Sequence, residues 1–412
     1  MSNARSPERW ALGLFLIGLA FSITLSQVTL ALLVLLWVYR LWDARARAAM
    51  TFPLATPFLA FVAASLLAAL RSADVWESLA KSKALLLILV FFALVDLLGS
   101  ADDADWFLAR LFLLMAVVSF LGVVQVAFCP EKPLGGPLLW RWTRNCHRAH
   151  AFYSIYMTLA GVLTLTLLAT LPRLFTGLSG WRWWMPPAWA LSGLGLLATY
   201  TRGAWLGFLV GAVTLSLLLR RLWVLGAIGA GLVLALLVLP AGPLEHRIKS
   251  LVDPADPTLR ERLYMWESAL AIARDHPLTG VGVGQVKVVY PRYARPEAVK
   301  KTASHLHNTP LQILAERGVL GLAAWVWIWV AFFVRAGRLL GRLGPDQGRE
   351  RGLVAGSLAA IVGFLVAGLS EFNFGDSEVV MVAYALMALP FIVERNFAPS
   401  PLSSPPVGER AG

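Results

Sequence analysis

Charge is scarce in this chain: 15% of its 412 residues are Asp, Glu, Lys or Arg, while 58% are hydrophobic. A soluble domain carries about 25% charged and roughly 45–50% apolar residues. The shortage, combined with apolar runs long enough to cross a bilayer, excludes an ordinary soluble globular protein. Nucleic-acid-binding motifs are lacking too, so the formal charge of +12 points to anionic lipids and lipid substrates instead of RNA or DNA. No small-residue cleavage site interrupts the first apolar run, from Trp10 past Phe21, which therefore reads as a membrane helix and not a removable signal peptide. No sequence repeat is evident. Cysteine is limited to Cys129 and Cys146, both in one polar loop. They pair if that loop faces an oxidising compartment and stay free thiols if it does not; spacing does not choose between the two.

What is present is a series of apolar runs, at residues 10–23, 26–42, 54–71, 82–99, 106–128, 150–171, 184–200, 203–219, 221–239, 309–335, 352–370 and 377–394. They predict an all-α integral membrane protein of about twelve transmembrane helices. The 17 Trp suit a bilayer protein, because indole favours the headgroup boundary. The first two runs form a hairpin around Ser22 to Gln27. Arg202-Gly203 divides the seventh from the eighth, unless one long tilted helix runs through. The chain divides into helices one to nine (1–239), a large, partly helical loop (240–308), helices ten to twelve (309–394) and a disordered tail (395–412) rich in Pro, Ser and Gly.

Twelve spans put the short basic loops on one side: Arg5 and Arg9, Arg40 to Arg47, Arg173 and Arg182, Arg220 and Arg221, and Arg335 to Arg351. That side, with both termini, is expected to be cytoplasmic. The loop with Asp102, Asp103 and Asp105 is an exception, but acidic residues weigh little in this rule. The other side receives the loop 129–149, the Thr201-Arg202-Gly203 turn and the segment 240–308. That segment holds ten Lys or Arg, from Arg247 to Lys301. Loops longer than about 60 residues escape the positive-inside rule, yet so many outer cations need a reason, and an anionic substrate supplies one.

Several residues there have a chemical reading beside a plainer one. Thr258-Leu259-Arg260-Glu261 has the form of a capping box, and Leu259, Leu263, Trp266 and Leu270 follow at helical spacing until His276-Pro277 and Gly280. That stripe either packs or lies on the membrane surface. Arg262 beside it is either a snorkelling side chain or a cation held at the protein–water boundary. Gly280-Val281-Gly282-Val283-Gly284 lacks the strand–turn–helix setting of a dinucleotide fingerprint and reads as a tight turn that brings backbone close to something else. His305 and His307, in Ser304-His305-Leu306-His307-Asn308, suit a general base, a loop hydrogen bond or, without evident third and fourth ligands, zinc. Arg202 lies between two apolar runs, where a charge is costly and usually marks a site; the alternative is a helix-end cap. Arg144, His147 and Arg148 form a second outer cation cluster that either meets lipid phosphate or is a wet loop. Glu371 and Asp376, before the last span, either orient a base or arginine or are solvated loop charges.

Thr201-Arg202-Gly203-Ala204-Trp205 resembles the Ser/Thr-Arg-Gly signature of the O-antigen ligase/polymerase family. Arg262-Leu263 with Trp266, then His276-Pro277-Leu278 and Gly280-Val281-Gly282, is similar to that family's outer-loop signature. His307-Asn308, followed by Leu311-Gln312 and Gly318, is similar to its His-Asn box at the start of a membrane helix. The ordered set covers roughly 200–320; the remaining helices match only in hydropathy. The resemblance implies a GT-C-like membrane glycosyltransferase of the bacterial inner membrane, acting in lipopolysaccharide biosynthesis at a periplasmic active site. It implies a glycan donor on undecaprenyl pyrophosphate. Lipid A-core is the acceptor for a ligase, the reading adopted here; a polymerase uses another lipid-linked repeat, and a protein O-oligosaccharyltransferase uses Ser or Thr. Arg202 and Arg262 would neutralise the pyrophosphate, with Arg260, Arg144, His147, Arg148, Glu371 and Asp376 as further substrate-binding candidates. His307, or His305 in its place, would be the base in an inverting transfer. No acidic metal-binding motif stands on the outer side, so neither metal nor cofactor is expected. Membrane lipids are the other expected partners. From other classes, a secondary transporter is disfavoured by the missing repeat and by candidates gathered at one membrane face, and a structural membrane protein leaves the Arg/His set unexplained.

Overall fold

The structure, a computed structural model, describes residues 6–136, 142–175, 183–238 and 256–397. Among these residues every regular element is helical. The helices are α1 (Ser6–Phe21), α2 (Ile23–Tyr39), α3 (Ala44–Ala49), α4 (Ala55–Leu70), α5 (Val75–Ser82), α6 (Leu89–Leu97), α7 (Ala101–Ala127) and α8 (Tyr156–Thr170). They continue as α9 (Met185–Ala198), α10 (Arg202–Leu218), α11 (Trp223–Val238), α12 (Pro257–Asp275), α13 (Val286–Tyr293), α14 (Thr309–Arg342), α15 (Gly348–Ala367) and α16 (Ser377–Phe397). A helix lies on each apolar run picked out in the sequence. Seven stretches are long and apolar enough to cross a membrane: Ile23–Trp42, Val75–Leu97, Ala101–Ala127, Tyr156–Leu174, Thr309–Arg342, Gly348–Ala367 and Ser377–Asn396. Helices α4, α9 and α10 are apolar but shorter. The tail from residue 398, the start of the large loop up to residue 255 and the basic residues Arg5 and Arg182 lie outside the described residues.

The boundaries differ from the hydropathy reading where caps decide them. Ser22 is the whole α1–α2 turn: its hydroxyl accepts the Leu25 N–H (3.3 Å), so α2 starts at Ile23 and not at residue 26. Asp74 caps α5 through the Glu77 N–H (2.9 Å), and a 3-10 segment, Lys83–Ile88, carries the chain into α6. Ser100 caps α7, so Asp102 and Asp103 belong to a helical first turn where negative charge is favourable. The helix on the sixth apolar run, α8, starts late, at Tyr156, because residues 149–151 are tied elsewhere: Gln125 Oε1 accepts the N–H of His150 and of Ala151, each at 3.0 Å. The Thr199–Thr201 break, with Tyr200 at φ 50°, makes α9 and α10 separate helices and not one tilted span.

Charge sorts to the two ends of the bundle. At one end Arg9 meets Asp103 (3.3 Å), Arg40 and Arg395 meet Asp96 (3.4 and 3.8 Å), Arg173 meets Asp105, and Arg349 meets Asp102. The acidic loop that looked exceptional is thus the counter-charge of the basic face. Helix α7 and the segment from α14 to α16 run from that end to the opposite one, where Cys129, Thr309 and Glu371 lie. At about 1.5 Å per residue, the 27 residues of α7 reach about 40 Å, enough to span a bilayer.

Small residues fix how α10 sits on α15. Gly203, Gly207 and Gly211 recur every four residues, and a Cβ on them would strike Ser370, the Gly363 carbonyl and the Ala359 carbonyl. Without apolar-versus-water gain between helices inside a membrane, such close backbone approach supplies the packing. The stripe brings the first turn of α10, with Arg202, beside the Ser370-Glu371 segment.

Candidate active site

Helix α12 starts at Pro257, two residues before the point expected from the capping box, because Asp256 is its N-cap and accepts the Leu259 N–H at 2.9 Å. Glu261, freed from a capping box, instead accepts the N–H groups of Val299 (2.8 Å) and Lys300 (3.2 Å). The packed face is also shifted from the stripe read in the sequence. Met265, Ala269 and Ile272 pack with Val286, Tyr290, Leu306 and Ala315, whereas Leu263 and Leu270 are exposed. Leu263 and Leu270 are thus left on the outer side of α12.

The glycine turn meets the kink of α14. Val281 N–H donates to the Ala315 carbonyl (3.0 Å) and Gly282 N–H to that of Glu316 (2.9 Å). Gly280 and Gly318 have φ of 64° and 63°, and a Cβ on Gly280 would collide with the backbone of 315–317, one on Gly318 with that of 278–279. Under this contact lies a buried network that the sequence reading missed. Gln312 accepts the Leu306 N–H (2.8 Å) and donates to Glu316 (2.8 Å). Glu316 also accepts the Gly284 N–H (3.0 Å) and pairs with Arg317 (2.7 Å), which reaches Ser65 of α4 (3.1 Å). A buried charge needs such partners; here they also hold the backbone of the His305–His307 loop.

That loop enters α14 through Asn308, which caps the helix by accepting the Leu311 N–H (2.9 Å) and donates to the Leu369 carbonyl (2.9 Å). Thr309 N–H and Oγ1 donate to the Gly368 and Glu371 carbonyls at 2.7 and 3.0 Å. These bonds lash the segment after α15 to the start of α14 and deliver Glu371 to His307. His307 sits at φ 48°, a left-handed conformation costly for a non-glycine residue and typical of sites that surrounding structure over-determines.

Glu371 joins the parts. Its Oε2 lies 3.0 Å from His307 Nδ1, and its Oε1 2.5 Å from Arg262 Nη2. Burial alone would push the Glu371 carboxyl up, but the hydrogen bond from His307 and the charge of Arg262 outweigh it and hold it below the usual carboxylate range. An ionised Glu371 makes Nδ1 the protonated nitrogen of a neutral His307, which leaves Nε2 as the basic one. The His305 ring lies 4.4 Å away, centroid to centroid, tilted by 57°, with Ser304 Oγ 3.0 Å from its Nδ1. Burial, and then the neighbouring His307, push His305 down from 6.5 to about 4, against a smaller pull from Glu371.

Arg202, the first residue of α10, pairs with Asp256 Oδ1 at 3.4 Å. Burial opposes the charge on Asp256, yet the Leu259 N–H and Arg202 hold it below the usual range. Arg202 is thereby held between the start of α12 and the Ser370-Glu371 segment. Arg262, His305, His307 and Glu371 thus converge, and Arg202, tied to the N-cap of the helix that carries Arg262, lies on the same end of the bundle; both arginines and His307 are mostly but not wholly buried. The other candidates stand apart from this cluster. Arg260 is exposed on the first turn of α12. Asp376 accepts from Thr158 Oγ1 (2.5 Å) on α8 and carries a carboxyl raised chiefly by burial. Arg144 lies within the loop closed by a Cys129–Cys146 disulfide, and His147 and Arg148 follow directly after it, with His147 Nδ1 3.5 Å from Cys129 Sγ. Among the described residues no group of three or more His, Cys, Asp or Glu is arranged to hold a metal ion.

The arrangement offers an imidazole and a guanidinium held by one carboxylate, with a second guanidinium, that of Arg202, at the start of the helix that carries the first. Residues 187–326 match the family model described as O-antigen ligase, a stretch that contains Arg202, Arg262, His305 and His307 and stops short of Glu371. No curated protein matches the chain.

Proposed function

We propose that this chain, a member of the O-antigen ligase/polymerase family, is the ligase that moves a glycan from undecaprenyl pyrophosphate to lipid A-core. Members of the family are glycosyltransferase-like membrane enzymes that use a lipid-linked glycan donor and a lipid-anchored acceptor. The observation that carries the reading is Glu371 held between His307 and Arg262. One carboxylate there orients the base and anchors a cation for the leaving group.

A sugar pyrophosphate is already activated, so the protein's share is to take charge from the departing pyrophosphate and a proton from the acceptor hydroxyl. Arg202 and Arg262 face the leaving oxygens; planar guanidinium suits phosphate bidentately. His307 Nε2 receives the hydroxyl proton as the new glycosidic bond forms and the anomeric carbon–pyrophosphate bond breaks. Direct attack inverts the anomeric centre. Glu371 favours His307 over His305 as base, because it stabilises the imidazolium formed, while His305 has burial and a neighbouring ring against its charge. Arg260, Arg144, His147 and Asp376 fall to the outer reaches of the substrate. The reaction is metal-independent in this reading, since the guanidiniums supply the positive charge. The site faces the periplasm of the inner membrane. The cation-rich end opposite it, and a disulfide on its own side, fit that orientation.

Reconstitution of the full chain in liposomes with lipid A-core and an undecaprenyl-pyrophosphate glycan tests this. A shift of the core band that persists in EDTA is the expected result. Elongation of the lipid-linked glycan without core modification would make the chain a polymerase, and loss of transfer in EDTA would refute metal independence.

A further inference from the structure

Three residues separate α9 from α10, and the backbone reverses within them. Two carbonyls at the C-terminal end of α9, those of Thr199 and Tyr200, lie beyond its last turn, and Thr201 Oγ1 donates to the first of them at 3.3 Å. Tyr200 takes φ 50° where glycine or asparagine usually ends a helix, and its side chain is buried. The side chain of Arg148 answers both problems. Its Nε donates to the Thr199 carbonyl at 2.8 Å, and its Nη2 to the Tyr200 carbonyl at 2.6 Å and to Thr201 Oγ1 at 3.3 Å. The guanidinium carbon lies 3.2 Å from the centroid of the Tyr156 ring, at the first residue of α8. A planar fork fits several acceptors at once, as a single ammonium does not, and a cation at a helix C-terminus is favourable.

The backbone that carries Arg148 is itself fixed. On one side Cys146 is bonded to Cys129, just beyond the end of α7. On the other, Ala149 N–H donates to the Ala198 carbonyl at 2.9 Å, and the buried Gln125 of α7 accepts from His150 and Ala151 and donates to the Trp142 carbonyl at 2.6 Å. The next residue after the clamped turn is Arg202.

We infer that Arg148 is a positioning residue, which sets the Thr199–Thr201 turn from the segment just after the Cys129–Cys146 disulfide and so aims Arg202 into the donor site. This assignment replaces a direct contact of Arg148 with substrate phosphate, and it rests on the reading of Arg202 as a pyrophosphate-binding residue. Charge adds to the hold, but it is the planar fork of Arg148, which an ammonium of equal charge does not reproduce, that sets the turn. A misplacement of about 1 Å in a group that meets the reacting atoms costs about a hundredfold in rate.

The test uses the reconstituted full chain with Arg148→Gln, Arg148→Lys, Arg202→Lys and the Arg148→Gln/Arg202→Lys double variant. Transfer kinetics and amide hydrogen exchange over residues 199–204 are both read. Faster exchange there in both Arg148 variants is expected. A fall of about a hundredfold in kcat/KM is expected in both, with little further loss when Arg148→Gln is added to Arg202→Lys. Unchanged exchange would overturn the clamp. So would near-normal transfer by Arg148→Lys, since charge alone would then suffice, or losses that multiply in the double variant, since Arg148 would then act apart from Arg202. The exchange result stands whatever the substrate is, so a wild-type chain that fails to transfer glycan while its turn still loosens would reject the transferase reading and keep the clamp.

Discussion

Glu371 is shared by two partners, and each needs it ionised. Its lowered pKa places the proton balance on the side of the folded arrangement: the stabilisation is complete above the carboxyl's unfolded value and is lost as pH falls through its lower folded value. Glu371→Gln keeps the shape but removes the charge. It should lower kcat by about a hundredfold or more, measured in the reconstituted transfer assay, because His307 loses the group that orients it and stabilises its protonated form. His305 is governed by the opposite sign. Its folded value is depressed to about 4, so it is neutral at pH 7 and takes up a proton only as pH falls toward that value. His305→Gln should therefore leave the pH dependence of transfer near neutrality unchanged; a changed profile there would make His305 the titrating base. Arg202, Arg262 and the two histidines were legible in the sequence because each sits in a short motif of polar residues against apolar runs. The bond between Arg262 and Glu371 was not, because 109 positions separate them and only the fold closes that distance. Asp256-Pro257 carried a helix-start signal that the capping-box pattern at Thr258 overshadowed.

Helix α10 delivers Arg202 by lying on α15 through Gly203, Gly207 and Gly211. A Cβ on Gly207 would meet the Gly363 carbonyl, which is backbone and cannot turn away. Gly207→Val should thus push the helices apart, cost about 1–3 kcal/mol of stability as overpacking does, and reduce transfer more than a lipid-facing substitution such as Leu206→Val, whose side chain is exposed. Thermal unfolding in detergent, paired with the transfer assay, checks both parts. The existence of the helices was readable from hydropathy, since long apolar runs allow little else in a bilayer. Their ends were less so. Ser22, Asp74 and Ser100 move the starts of α2, α5 and α7 by several residues each, through hydrogen bonds that hydropathy does not register. Of the two readings of the α12 stripe, packing does not hold for Leu263 and Leu270, which are exposed, since Met265, Ser268, Ala269 and Ile272 form the buried face.

Across the whole molecule, the cations expected to be cytoplasmic gather at one end with Asp96, Asp102, Asp103 and Asp105, and the Arg/His/Glu cluster stands at the other. If the cluster faces the periplasm, an impermeant thiol or tag probe near Pro254 is accessible from outside in intact cells, and one near Arg349 only after the membrane is opened. The reverse pattern would place the site in the cytoplasm and remove its donor. Fold class and the order of the site motifs came from the sequence; the pairing that turns them into one centre came from the packing of α10, α12, α14 and the segment after α15. The most direct measurement of that centre is glycan transfer by reconstituted His307→Ala, set beside wild type at equal insertion and equal thermal stability. Loss of transfer to lipid A-core with donor binding retained is the result predicted for the base; full transfer by His307→Ala would contradict the account.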